Sequence, residues 1–199
     1  MGRLVRPLAA IAAVAVMVLA AGTANASVVI NITQLGGNVD VTATGSLDLR
    51  GATFDHSQPY STGIIPGGSN WYIALGTTPG MDWYQLTGVD LPYGTSGNYF
   101  TSGITSGDAF SIWGYVGGTP LVGLPTGYTS GSPISADMTL SGQTIAGMTL
   151  IPGTYTFTIP NDTIILDIGG KGVPEPGTLV MFGSGIIGLA GILRRKINL

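Results

Sequence analysis

Ser27-Val28-Val29-Ile30-Asn31-Ile32-Thr33-Gln34-Leu35-Gly36-Gly37-Asn38-Val39-Asp40-Val41-Thr42-Ala43-Thr44 decides the fold class of this 199-residue chain. Val28, Ile30 and Ile32 alternate with Val29, Asn31 and Thr33. After Gly36-Gly37-Asn38 the alternation resumes as Val39, Val41 and Ala43 against Asp40, Thr42 and Thr44. A period of two sends successive side chains to opposite faces of a strand, so the stretch predicts a β-hairpin with one buried face. Ser46 to Leu49 is expected to add a short strand.

The same signal returns near the far end of the core. Thr154, Thr156 and Thr158 face one way, and Tyr155, Phe157 and Ile159 the other. Pro160-Asn161-Asp162 then turns the chain into a second strand over residues 163–168, as a proline followed by Asn-Asp suits a tight turn. The two strands are expected to pair antiparallel with the aromatic and branched side inward. Between these ends lie clusters such as Ile65-Pro66-Gly67-Gly68-Ser69-Asn70 and Tyr93-Gly94-Thr95-Ser96-Gly97-Asn98, which supply turns rather than helix. They separate β-prone pieces at Trp71 to Leu75, Trp83 to Leu86 and Ala109 to Val116. The core contains no run of a dozen residues with a 3.6 period free of Gly and Pro. The reading is therefore all-β: a single antiparallel β-sandwich, jelly-roll-like or Ig-like, over residues 27–168, followed by a Gly-rich tether at 169–172.

Charge is distributed by position. Only 9% of residues are charged, against an ordinary share of about 25%. Between Ser27 and Gly172 two cations, Arg50 and Lys171, face nine aspartates, for a net charge of −7. Nucleic-acid binding draws most of its affinity from Lys and Arg neutralising phosphates, so an acidic core without a basic stripe excludes that class. The chain has no cysteine, which removes disulfides, thiolate nucleophiles and cysteine metal sites.

The remaining cations mark the two ends. Arg3 and Arg6 precede an apolar run from Leu8 to Ala21, and Gly22-Thr23-Ala24-Asn25-Ala26 follows. A run of 14 residues suits the apolar region of a signal peptide and is short for a spanning helix of about 20. With small residues at Ala24 and Ala26, residues 1–26 are expected to be a signal peptide cleaved by signal peptidase between Ala26 and Ser27. At the other end stand Val173-Pro174-Glu175-Pro176-Gly177, an uncharged run from Thr178 to Leu193, and Arg194-Arg195-Lys196. The prolines keep the motif extended, because each lacks a donor and biases its predecessor away from helix. The run of 16 residues spans about 24 Å as a helix, a little short of the ~30 Å hydrocarbon core. Snorkelling of Arg194, Arg195 and Lys196 extends its reach, and their charge orients the C-terminus to the cytoplasm. Ser184, Gly188 and Gly191 put small residues on one face of that helix, where a partner helix could pack.

This order of elements over residues 173–199 resembles the PEP-CTERM sorting signal of Gram-negative bacteria. The motif matches at Pro174, Glu175 and Pro176 after Val173, the helix at 178–193 and the basic end at 194–196. Ile197-Asn198-Leu199 extends past the basic cluster, where family members often end. The resemblance implies recognition by an exosortase, transient anchoring in the inner membrane with the core in the periplasm, and processing near the motif. It implies release or transfer of the core to the cell surface, in bacteria that often make exopolysaccharide. Gly45-Ser46-Leu47-Asp48-Leu49, residues 125–132 and Pro152-Gly153-Thr154-Tyr155-Thr156-Phe157 are similar to a recurrent domain of such proteins, which carries no known activity.

No catalytic constellation emerges from the core, and no cofactor or metal is expected. The one histidine stands in Asp55-His56-Ser57. Adjacent residues on an extended segment diverge, whereas triad groups converge from separate elements, so His56 is expected to be a loop residue. The aspartates lack the Asp-x-Asp-x-Asp-Gly spacing of a calcium loop, and most stand beside turns, where Asp caps the backbone. Asn31-Ile32-Thr33 and Asn161-Asp162-Thr163 match a glycosylation pattern by coincidence of strand and turn composition. Trp71, Trp83 and Trp113 are the candidate ligand contacts, as flat faces for sugar rings. Strand alternation favours core packing instead for one member of each pair Trp71-Tyr72 and Trp83-Tyr84. The expectation is a non-enzymatic exported surface or matrix protein sorted by an exosortase and associated with exopolysaccharide or biofilm. A carbohydrate-binding module and a plain single-span anchored periplasmic protein are the alternatives.

Overall fold

The computed structural model describes residues 27–77, 80–101 and 103–170. The signal peptide, Pro-Glu-Pro motif, apolar run and basic end expected from the sequence lie outside them. The described residues form fourteen strands and no helix: β1 (Ser27–Leu35), β2 (Asn38–Gly45), β3 (Phe54–Gln58), β4 (Gly63–Ile65), β5 (Asn70–Leu75), β6 (Met81–Gln85), β7 (Gly88–Val89), β8 (Phe100–Thr101), β9 (Ile104–Gly107), β10 (Phe110–Tyr115), β11 (Leu121–Pro125), β12 (Ile134–Ser141), β13 (Gly153–Ile159) and β14 (Asp162–Ile168). Sheet I has the order β7-β13-β14-β1-β2-β12-β9, and sheet II the order β3-β6-β11-β10-β5-β4-β8.

The opening hairpin forms as its alternation dictates. β1 and β2 pair antiparallel from Val28 opposite Gly45 to Leu35 opposite Asn38, around Gly36, whose φ of 59° suits a residue without a side chain. Val28, Ile30, Ile32, Val39, Val41 and Ala43 are fully buried, while the residues between them lie on the outer face. β13 and β14 form the second expected hairpin, with Phe157, Ile159, Ile164 and Leu166 inward. One pairing departs from an antiparallel sandwich. β1 and β14 run parallel at the centre of sheet I, Ser27 beside Thr163 and Ile32 beside Ile168. A parallel pair needs a long crossover, and here the rest of the domain is that connection.

The inner faces of the two sheets share one core. Ile30, Val41, Met138 and Leu166 from sheet I meet Trp71, Ile73, Phe110, Ile112 and Val122 from sheet II. The sheets end in short strands, β7 and β8 of two residues each, which limits unpaired edge.

Ser46 to Leu49 is not a strand. It carries the chain from sheet I toward sheet II, and side chains take the place of a ladder. Leu47 N–H donates to the Tyr128 hydroxyl at 2.9 Å, Asp48 N–H to Asp162 Oδ2 at 2.8 Å and Leu49 N–H to Ser130 Oγ at 2.8 Å. The short apolar alternation of Leu47 and Leu49 resembles a strand locally, but the paired backbone it needs is not supplied by any neighbouring strand.

Candidate functional site: an aromatic trough on the outer face of sheet II

The register of sheet II places a row of small residues across its outer face. Gly63 pairs with Ala74, Ala74 with Ser111, Ser111 with Gly123 and Gly123 with Trp83. A row without bulky side chains forms a furrow, and large rings from neighbouring rows lie down over it. A Cβ added to Gly123 would stand 3.1 Å from Trp83 Cε3 and 3.0 Å from Met81 Sδ. Met81, Trp83, Ala109 and Leu121 are buried there, with Tyr60, Tyr72 and Trp113 packed partly buried against them. This second apolar cluster lies on the side of sheet II away from sheet I.

The rings form a continuous series. Tyr60 meets Tyr72 at 6.2 Å and Trp83 at 6.1 Å between centroids, both edge to face. Trp83 meets Trp113 at 6.1 Å, Trp113 meets Tyr115 at 5.6 Å, and Tyr72 meets Tyr99 at 6.4 Å. Such pairs lie within the separations at which aromatic quadrupoles attract. The polar tips are tied to the protein. Tyr60 donates to the Leu75 carbonyl at 2.7 Å, Tyr72 to the Ser61 carbonyl, Tyr99 to the Thr62 carbonyl at 2.7 Å, and Trp113 Nε1 to Asn70 Oδ1 at 2.8 Å. Burial pushes the Tyr60 and Tyr72 phenols far above the usual range, so both remain neutral donors. The rings are thereby held in place, with Trp83 buried and Tyr60, Tyr72 and Trp113 partly exposed around it.

An open cleft of about 310 Å³ is lined by His56, Gln58, Pro59, Tyr60, Tyr72, Trp83 and Trp113. On the other side of Tyr60 lies a second hollow of about 620 Å³, lined by Ser61, Thr62, Thr77, Tyr99, Thr101 and Thr105, of which the Thr77, Tyr99 and Thr105 hydroxyls donate to backbone carbonyls. The two share Tyr60 as a divider.

His56 stands on the edge strand β3 rather than in a loop. The register slips between Phe54 and His56, so Phe54 pairs with Tyr84 and His56 with Trp83. That irregularity places the imidazole over the Trp83 ring at 6.0 Å and 17° between planes. Its Nδ1 is 2.6 Å from Asp55 Oδ2, and this bond, helped by one from Gln85, holds the Asp55 carboxyl below its ordinary range. Ser57 turns to the opposite face and donates to Asp82 Oδ1 at 2.6 Å. Asp55 and His56 are thus paired, while the Ser57 hydroxyl is held on the opposite face by Asp82.

Trp83 and Trp113 therefore meet in the trough, Trp83 buried at its base, whereas Trp71 points to the inner face against Tyr93 and Phe157. Trp71 lines a separate apolar cleft of about 380 Å³ with Val89, Leu91, Val116 and the far end of the ring series, Tyr115. Strand alternation separates Trp71 from Tyr72 and Trp83 from Tyr84. Which partner faces the trough depends on register, and Tyr60 joins from a loop with no periodic signal at all. Among the described residues no group of three or more His, Cys, Asp and Glu side chains is placed to hold a metal. Several aspartates bind backbone instead: Asp82 accepts from Gly127 N–H at 2.8 Å and Asp108 from Ser135 N–H at 2.9 Å.

Fold and face together define a two-sheet β domain with a preorganised, ring-lined outer trough. Beyond that domain, the family model described as the PEP-CTERM protein-sorting motif matches residues 172–196, and the chain carries this motif there. The motif implies processing by an exosortase, export and a membrane-anchored transit toward the cell surface. The chain matches no curated protein and no solved structure.

Proposed function

We propose that this chain is a non-enzymatic cargo of the sorting pathway, a β-sandwich held on the periplasmic face by its C-terminal segment and then delivered to the surface or matrix in association with exopolysaccharide. The observation that carries the reading is the sorting motif at residues 172–196, directly after a domain whose last strand ends at Ile168. The Gly169 amide still donates to the Ile32 carbonyl at 2.8 Å, so the domain ends within a few residues of the motif. On this reading Ser27, the first residue of β1, follows signal-peptidase cleavage after Ala26. Val173 to Pro176 present the extended segment to the exosortase, and Arg194, Arg195 and Lys196 anchor the cytoplasmic end. The aromatic trough supports a polysaccharide-associated role.

Mass spectrometry of the protein from its native host tests the placement. The expected species begins at Ser27 and ends near Pro174 to Pro176. Replacing Pro174, Glu175 and Pro176 together by alanine is expected to leave an unprocessed form in the membrane fraction. Fully processed material retaining Leu199, or unchanged localisation of the triple variant, overturns sorting in favour of a plain anchor.

A further inference from the structure

We infer that the outer face of sheet II is a binding site for an extended, uncharged hexopyranose chain, seated on the trough around Trp113 and continuing past Tyr60 into the adjoining hollow lined by Ser and Thr. The inference rests on the polysaccharide-associated reading above and names the surface and the ligand chemistry.

Three observations converge on it. First, the ring tips are satisfied internally, by the Leu75, Ser61 and Thr62 carbonyls and by Asn70, so the faces meet a ligand without leaving buried donors unpaired. A pyranose with equatorial hydroxyls carries C–H bonds on its flat faces, which suit the electron-rich face of an aromatic ring. Rings already fixed by their neighbours lose little freedom on binding.

Second, the site is longer than one sugar. The aromatic cleft and the second hollow adjoin at Tyr60, which lines both, with aromatic rings on one side and Ser61, Thr62 and Thr101 on the other. That pairing suits a chain whose units offer both a flat face and a rim of hydroxyl groups. A compact apolar ligand would use the first part only.

Third, the electrostatics select charge. Among the described residues no Lys or Arg lines either hollow, and the ionisable side chains there are His56, Tyr60, Tyr72 and Tyr99. Asp55 and Asp82 stand behind His56 and Ser57, and residues 27–172 carry a net charge of −7. An anionic polysaccharide would approach a negative domain with no cation to receive its carboxylates. A neutral chain meets no such barrier.

The test uses the full-length chain in a zwitterionic detergent, since alkyl glycosides would compete. Cellohexaose is the neutral probe and alginate the anionic one, with tryptophan fluorescence and calorimetric titration as readouts. Cellohexaose is expected to shift the emission and to bind. Trp113→Ala is expected to weaken binding roughly tenfold, which corresponds to ~1.4 kcal/mol. Tyr115→Ala, at the more exposed end of the series, is expected to weaken it by a smaller factor. Phe54→Ala removes an exposed ring outside the trough and is expected to leave binding unchanged. Thermal melts of each variant establish that it is folded. Should Trp113→Ala fail to fold, Tyr115→Ala together with protection of Trp113 from oxidation by bound cellohexaose carries the test. Binding of cellohexaose that folded Trp113→Ala and Tyr115→Ala both retain, or alginate binding with none to cellohexaose, overturns the inference while leaving a polysaccharide-associated domain. Absence of binding to either polymer overturns the inference and that association together, and leaves the sorting reading to its own mass-spectrometric test.

Discussion

Gly114 stands opposite Trp71 in the β10–β5 ladder, and the indole of Trp71 occupies the space a side chain there would fill. A Cβ at Gly114 would lie 2.2 Å from Trp71 Cζ2. The indole cannot simply swing aside, because it packs on Phe157 at 5.8 Å and against Tyr93 at 6.2 Å between centroids. Gly114→Ala is therefore expected to destabilise the domain by about 1–3 kcal/mol through overpacking. A lowered melting temperature with a red-shifted tryptophan emission would show it, and an unchanged melt would mean that the inner face has slack at this point. Gly114 illustrates what residue-by-residue reading misses. A glycine in an alternating run looks like a weak strand position, and its reason lies on the neighbouring strand.

The segment between β2 and β3 is held by side chains, so its stability depends on ionisation. Asp48 accepts from Arg50 Nε at 2.8 Å and from the Arg50 amide at 2.9 Å. The Arg50 side-chain bond is the main cause that lowers the Asp48 carboxyl to about 2. An unfolded chain titrates such a group near 3.9, so the folded carboxyl gives up its proton more readily than the unfolded one. Its contribution is present above that unfolded value and is lost as the pH falls toward 2. The difference in melting temperature between the parent and Asp48→Asn is expected to be largest above pH 5 and to shrink through pH 4 to 2. A constant difference across that range would assign the effect to shape rather than charge. At this scale the strands of the two hairpins were legible, because a period of two needs only near neighbours. The Ser46 to Leu49 segment was not, since Tyr128, Ser130 and Asp162, which satisfy its backbone, lie about eighty residues or more further along. His56 was misplaced for a related reason. Its strand is an exposed edge with no apolar alternation, recognisable only by its pairing to β6.

At the scale of the molecule, the first and last described strands lie side by side and parallel in the middle of sheet I. Parallel strands start at the same end, so the chain enters at Ser27 and leaves beyond Ile168 at opposite ends of the sheet. Six paired residues separate those ends by roughly 20 Å. The residues before Ser27 and the sorting motif are thus joined to the domain at different places, and both junctions lie on the sheet away from the aromatic trough. Residues 27–170 alone are expected to melt at the same temperature as the full chain. Starting instead at Asn31, or ending at Ile164, is expected to abolish cooperative folding. Each deletion strips apolar side chains worth roughly 1.5–3 kcal/mol apiece from a central strand, against a total stability of about 5–15 kcal/mol. Melts followed by far-ultraviolet circular dichroism would decide it, and a cooperative transition in either shortened chain would show that the parallel pair is dispensable.

What residue order alone determined is the all-β character, the two hairpins, the negative charge of the core and the address at its end. Each depends on local composition or on spacing within a few residues. The Pro-Glu-Pro motif is legible in the same way, because three adjacent residues carry it. The parallel seam, the row of Gly63, Ala74, Ser111 and Gly123, and the choice of Trp83 and Trp113 over Trp71 for the outer face were decided only in the folded chain. Alternation specifies that adjacent residues part, but not which side becomes core. That choice follows from register between strands distant in sequence, where burying one face of each strand excludes a slip by a single residue.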